Sequence, residues 1–108
     1  MYKRQLANFV DAEFDTLVNF RYAKFGSEAY FAYANFNSEA YFGSTDFGTY
    51  ADFGNAQFNS EAYFGNAVFE SHSDFSNVQL DTFASFRKVD FGAHTSFCLL
   101  YTSDAADD

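Results

Sequence analysis

The sequence predicts an all-β solenoid: a quadrilateral β-helix of about four coils, each of 22 residues. Three observations carry this expectation. Phe recurs at steps of five and six residues in unbroken alternation, from Phe9, Phe14, Phe20 and Phe25 through to Phe86, Phe91 and Phe97. Of the seventeen positions so defined, sixteen are Phe and one is Leu80, while Phe83 lies off the grid. A small residue stands two places before every centre, as in Ala7, Ala12, Val18 and Ala23, and no charge occupies either kind of position. The surface residues repeat at 22 rather than eleven: Asn37 to Gly43 reads NSEAYFG, and so does Asn59 to Gly65.

Each element follows from these spacings. Residues two apart in an extended strand share a face. Every small-x-Phe triplet is therefore a short strand with both ends turned inward. The two or three residues that follow turn a corner, with Gly, Asn, Asp and Ser supplying the turn chemistry. A helix does not fit, because apolar positions 1, 3, 6 and 8 of eleven fall near 0°, 200°, 140° and 340° at about 100° per residue, which makes no stripe. Coil length follows from the residues around alternate Phe. Asp15, Asn37, Asn59 and Asp81 form one set, and Gly26, Gly48, Glu70 and Gly92 the other. Four sides of five, six, five and six residues explain both core and surface. A two-sided coil of eleven residues explains the core alone and is the alternative.

Composition sets outer limits. A chain of 108 residues suffices for one domain. Leu and Ile are nearly absent, so the core must be Phe and Ala. With 15 acids against 6 bases, formal charge is −9. That argues against direct binding of nucleic acid, which needs clustered Lys and Arg, and suits solubility or a basic partner. No apolar run approaches the roughly 18 residues of a membrane span. The single Cys98 cannot form an internal disulfide.

The repeat resembles the pentapeptide-repeat family, whose unit is a small residue, a polar residue, a central Leu or Phe and two variable residues. Ala7-Asn8-Phe9-Val10-Asp11 and Ala51-Asp52-Phe53-Gly54-Asn55 match it directly. The resemblance runs from Ala7 to Phe97. It departs from the strict pattern in having Phe for Leu and one inserted residue in every second unit. The resemblance implies a right-handed quadrilateral β-helix. The expected role is structural or protein–protein interaction without enzymatic activity, in a bacterial cytoplasmic setting. One branch of the family implies an alternative, an acidic DNA mimic that inhibits a type II topoisomerase.

The ends look foreign to the repeat. Met1 to Gln5 and Cys98 to Asp108 both resemble translations of one sequencing adapter, read inwards and outwards. The expected organisation is a non-native leader at 1–5, the solenoid at 6–97 and a non-native disordered tail at 98–108. On that reading the chain is a metagenomic fragment of a larger protein, and its uncapped coils invite end-to-end or edge association.

Candidates for chemistry are few. His72 and His94 stand 22 residues apart in the inserted column, below Tyr50 and near Asp74. Two imidazoles fall short of the three or four ligands of a metal site, so neither metal nor cofactor is expected. Glu39 and Glu61 stack in the other inserted column, between Leu17 and Phe83, with no second group in a different environment for acid–base work. Thr16, Ser27, Ser38, Thr49, Ser60, Ser71 and Thr82 form corner columns suited to bonding turn backbone. The Gly residues after Phe lack the Lys and helix of a phosphate loop. Tyr30, Tyr41 and Tyr63 each precede a Phe, point outward and are the candidate interaction face, with protein as the expected partner.

Overall fold

The computed structural model of the chain describes residues 6–92 and 94–101. Among them the strands pair in parallel with strands 22 residues away, except that the last pairs slip to 21 beyond a register shift between Ser76 and Val78. That register rules out the coil of eleven residues. Strands are numbered along the chain, and each coil presents four faces. Face one stacks β1 (Leu6–Asn8), β4 (Glu28–Tyr30), β7 (Tyr50–Asp52), the first half of β10 (His72–Leu80) and β12 (His94–Tyr101). Face two stacks β2 (Glu13–Phe14), β5 (Asn35–Phe36), β8 (Gln57–Phe58) and the end of β10. Face three stacks β3 (Val18–Asn19), β6 (Ala40–Tyr41), β9 (Ala62–Tyr63) and β11 (Ala84–Ser85). Face four is a row of single bridges, Lys24 to Asp46 to Val68 to Asp90.

The core is the set of inward positions that the spacing singles out. Ala29, Phe31, Ala34, Phe36, Ala40 and Phe42 have no exposed surface, and burial continues in the same way to Ala84. Phe side chains stack in columns running along the axis. Phe31 lies 4.9 Å from Phe53 at 3° between planes, and Phe53 lies 5.1 Å from Phe75 at 5°. Neighbouring columns meet edge to face, as Phe42 does with Phe53 at 5.6 Å and 88°. Both arrangements suit the ring quadrupole, and each pair adds about 0.5–1.5 kcal/mol beyond area burial. Leu80 replaces a ring below Phe58 and stays buried. In the outer coils Phe9, Phe14, Phe20, Phe25, Phe86 and Phe91 are half-buried.

Thr45 takes an Ala position without leaving a buried hydroxyl unpaired. Its Oγ1 donates to the Phe20 carbonyl at 2.7 Å. Ser73 does the same across one coil, donating to Thr95 Oγ1 at 3.1 Å.

The five-residue corners share one geometry. The amide of each small residue donates to the carbonyl of the preceding Phe, as in Ala12 to Phe9 and Ala56 to Phe53, both at 3.0 Å. The residue just before the small one has positive φ: Asp11, Tyr22, Tyr33, Ser44, Asn55, Asn66, Asn77 and Lys88, from 53° to 64°. This is the third position of a type II turn, which favours Gly or Asn. Among the described glycines only Gly48 has positive φ, at 78°. Asp11, Ser44, Asn55, Asn66 and Asn77 are the turn chemistry expected after each Phe, and the left-handed residue is the second after Phe, not the Gly that often follows it directly. Asn and Asp reach that conformation at little cost, whereas Tyr and Lys do not.

At the chain ends the expected tail begins inside β12. That strand pairs with β10 through Cys98 to Ser76 and on to Tyr101 opposite Leu80. Parallel pairing uses backbone donors and acceptors, so the open edge of β10 accepts an extended segment whatever its side chains. The leader at 1–5 and residues 102–108 lie outside the described residues.

Two outcomes follow. Phe53→Ala should cost about 3–5 kcal/mol through lost burial and cavity, and Phe53→Asp should abolish the folded β signal in circular dichroism; a native spectrum for Phe53→Asp contradicts the stacked core. Tyr33→Asn should stabilise the chain by about 1 kcal/mol by easing the left-handed corner, read as a higher midpoint in chemical denaturation.

Candidate interaction surface

Outward positions stack as strictly as inward ones, so the surface consists of columns. On face two the columns are hydrogen-bonded ladders. Asn37 Nδ2 donates to Asp15 Oδ1 at 2.9 Å, and Asn59 Nδ2 donates to Asn37 Oδ1 at 2.7 Å. Gln57 Nε2 donates to Gln79 Oε1 at 3.3 Å beside them. A side-chain amide carries both donor and acceptor, so it can pass the bond from coil to coil.

Asn and Asp at the central position of the triplets do a second job. Asn8, Asn19, Asp46, Asp52 and Asp74 each accept the backbone N–H two residues on, at 2.8–3.0 Å. These bonds brace the corner after each Phe.

Tyr30, Tyr41 and Tyr63 occupy the same central position but do not share a face. Tyr30 belongs to β4 on face one; Tyr41 and Tyr63 belong to β6 and β9 on face three. All three are half-buried rather than standing free. Their separation follows from the corner count: Tyr30 to Tyr41 is eleven residues, half a coil, whereas Tyr41 to Tyr63 is a full coil.

On face one, Tyr30 packs against Tyr50 at 5.6 Å. Tyr50 lies 6.4 Å from His72, and His72 stacks on His94 at 4.6 Å and 19°. Ser71 Oγ lies 3.0 Å from His72 Nδ1. Stacked parallel imidazoles direct their nitrogens side by side rather than at a common point. Among the described residues no group of three or more His, Cys, Asp or Glu could hold a metal. Burial raises the Tyr50 hydroxyl above its ordinary value, and Asp52 and Asp74 add to the effect.

Face three is different in kind. The Tyr41 and Tyr63 rings stack at 5.1 Å and 6°. The Arg21 guanidinium sits 4.8 Å over the outer face of Tyr41, a cation–π contact. Phe83, the Phe off the grid, covers the other end against Tyr63 at 5.9 Å. Arg21 is held by Asn19, whose Oδ1 accepts from both Arg21 N at 3.0 Å and Nε at 3.3 Å. Beside this row lies an open notch of about 410 Å³, floored by Gly43 and Gly65 and bordered by Arg21, Arg87 and Lys88. No carboxylate is among its lining residues. The notch was missed from sequence, although its signal was present: Arg21, Gly43, Gly65 and Arg87 stand 22 apart and form one column.

Glu39 and Glu61 lie at the corner leading into this face, where Ser38 Oγ donates to Glu39 Oε1 at 3.0 Å and Ser60 Oγ to Glu61 Oε1 at 3.5 Å. Burial raises the Tyr63 hydroxyl, with Glu61 adding to it. Of the Ser and Thr corners expected to bond turn backbone, Thr49 reaches a backbone carbonyl, that of Ser27 in the adjacent coil at 2.9 Å, whereas Ser38 and Ser60 bond the neighbouring Glu side chains.

A family model described as pentapeptide repeats (nine copies) matches residues 20–68. That stretch carries pentapeptide repeats. The same five-and-six spacing continues on either side of the matched stretch, from Phe9 to Phe97. No curated protein matches the chain, and no solved structure does. The pentapeptide-repeat solenoid accounts for the interior throughout, so what distinguishes this chain lies in its columns of outward residues.

Two carboxyls on those columns titrate abnormally. Burial pushes Asp52 up, the Gly54 N–H bond pulls it partly back, and Asp74 one strand away pushes it further up. Glu70 is raised chiefly by a hydrogen bond shared with Asp46, then by the charge of Asp46 and by burial, against Lys24. A carboxyl with a raised folded-state pKa binds its proton more tightly in the folded chain than in the unfolded one. Stability therefore falls as pH rises from the ordinary carboxylate range through the raised values. The thermal midpoint should be higher at about pH 5 than at pH 7, and Asp52→Asn with Glu70→Gln should flatten the difference. A midpoint that climbs between those values and ignores both substitutions excludes this origin.

Proposed function

We propose that the chain acts as a structural and protein–protein interaction module with no catalytic role, and that face three is its contact surface. One observation carries the reading: an aromatic row, Tyr41 on Tyr63, capped by Arg21 and Phe83 and set beside an open notch. Tyr and Arg are the side chains that dominate protein contacts, because they combine large area with directed polar groups. A solenoid presents them on a rigid backbone, so little ordering entropy is lost on binding. No helix among the described residues is long and apolar enough to cross a membrane.

The DNA-mimic reading gains nothing from the geometry. A mimic needs acidic rows along one face at phosphate-like spacing. Here Asp52 and Asp74 lie on face one, Glu39 and Glu61 at a corner, and Asp46 and Asp90 on face four.

The test is capture of bacterial proteins on the immobilised chain. Tyr41→Ser with Tyr63→Ser should remove a saturable set of partners while leaving the circular-dichroism spectrum intact, and Tyr30→Ser should not. Unchanged capture by the double variant overturns face three as the surface. Inhibition of topoisomerase supercoiling by the chain would favour the mimic instead.

A further inference from the structure

We infer that the notch on face three binds an extended acidic peptide lying along the solenoid axis, with carboxylates four residues apart. The inference rests on face three being the contact surface and adds the chemistry of the partner.

The charge distribution points to an anion. The chain carries 6 bases in all, yet Arg21, Arg87 and Lys88 converge on this one notch. Face three is polarised along its strands. Glu39 and Glu61 stand at the corner where the chain enters the face, and the three bases border the notch at the corner where it leaves. Screening within about 8 Å lets the local cations act on a ligand in the notch despite the net acidity of the chain.

The floor selects an extended ligand. Gly43 and Gly65 present no side chains between the flanking arginines, so a trough remains. A Cβ at Gly65 would meet nothing nearer than the Arg87 carbonyl oxygen at 3.8 Å, whereas at Gly43 the Arg21 stem lies 3.6 Å away and overlays that end of the trough. Neither glycine is needed for a positive φ. Asn66 and Ser85 add polar groups to the lining.

The rings select peptide carboxylates over bases or sugars. A base or a sugar ring binds by stacking on a free aromatic face. Here both faces of Tyr41 are covered, by Arg21 and by Tyr63, and Phe83 packs at a tilt against Tyr63. What the row offers is its edges, where an aromatic ring is positive. Arg21 bonds Asn19 through Nε, and its guanidinium carries further N–H donors of the kind that pair with carboxylates.

Spacing sets the motif. Arg21 and Arg87 are three coil steps apart, or about 14 Å at roughly 4.8 Å per step. An extended peptide advances about 3.4 Å per residue, so four residues span the same distance and return to the same side of the strand. A spacing of three puts the second carboxylate on the opposite side.

The test is fluorescence anisotropy with labelled peptides of Gly and Ser carrying two glutamates, added to the full chain at low salt. The peptide with glutamates four apart should bind about fivefold or more tightly than the one with glutamates three apart, and a lysine version should not bind. Arg87→Gln should weaken binding by about fivefold, and Gly65→Leu, which fills the trough, should remove it with the circular-dichroism spectrum retained. Should Gly65→Leu fail to fold, Arg21→Gln with Arg87→Gln carries the same comparison. Equal binding of both spacings, indifference to these substitutions, or tighter binding of a short oligonucleotide overturns the inference. Loss of the peptide preference alongside partner capture that still needs Tyr41 and Tyr63 would reject the acidic ligand and leave the contact surface standing.

Discussion

Each coil of this molecule is held by the one above and the one below, through two interactions that demand the same rise. Parallel strands pair at about 4.8 Å, and the Phe rings of successive coils stack with centroids 4.6–5.6 Å apart. A backbone ladder and an aromatic ladder therefore lock together without compromise. Slipping the register by one residue would turn every Phe outward. Slipping it by five or six would set five-residue corners over six-residue ones. The match of these two spacings explains why Phe serves where most cores use Leu and Ile, and why almost nothing else is required inside.

The same constraint shapes the surface. Any outward residue is brought next to its counterpart 22 positions away, whether or not the two suit each other. Asn and Gln turn this to advantage as amide ladders on face two. Carboxylates do not: Asp52, pushed up first by burial, is pushed further by the charge of Asp74 one coil away. Rings gain by it, as Tyr41 and Tyr63 do. Function in such an architecture is a matter of which columns are filled and which are left empty. The column of Gly43 and Gly65, with arginine at each end, is a departure from a flush surface that also gathers charge.

Legibility differed with the kind of information. The Phe and Ala positions, the four faces and the 22-residue register were readable because each rests on a period repeated many times along the chain. The stacking of His72 on His94 was readable for the same reason. Corners were harder. Gly, Asn, Asp and Ser signalled the corners, yet the left-handed conformation falls on a fixed position, where Tyr22, Tyr33 and Lys88 accept it against their preference. Coil-to-coil pairing overrides local propensity at those points. The boundary at Cys98 blurred because strand pairing reads backbone, not side chains.

The candidate surface shows the division most clearly. The sequence by itself determined the coil, its core and the fact that outward residues form columns, since all three depend only on spacing along the chain. It also determined that Tyr30, Tyr41 and Tyr63 point away from the core. The tertiary structure decided which of them meet: half a coil separates Tyr30 from Tyr41, placing them on different faces. It alone showed that Arg21 and Tyr63 cover the faces of Tyr41 and that two absent side chains leave a trough between arginines. Those are properties of neighbouring columns across a corner, and distance between columns is set by packing in three dimensions, not by any period in one.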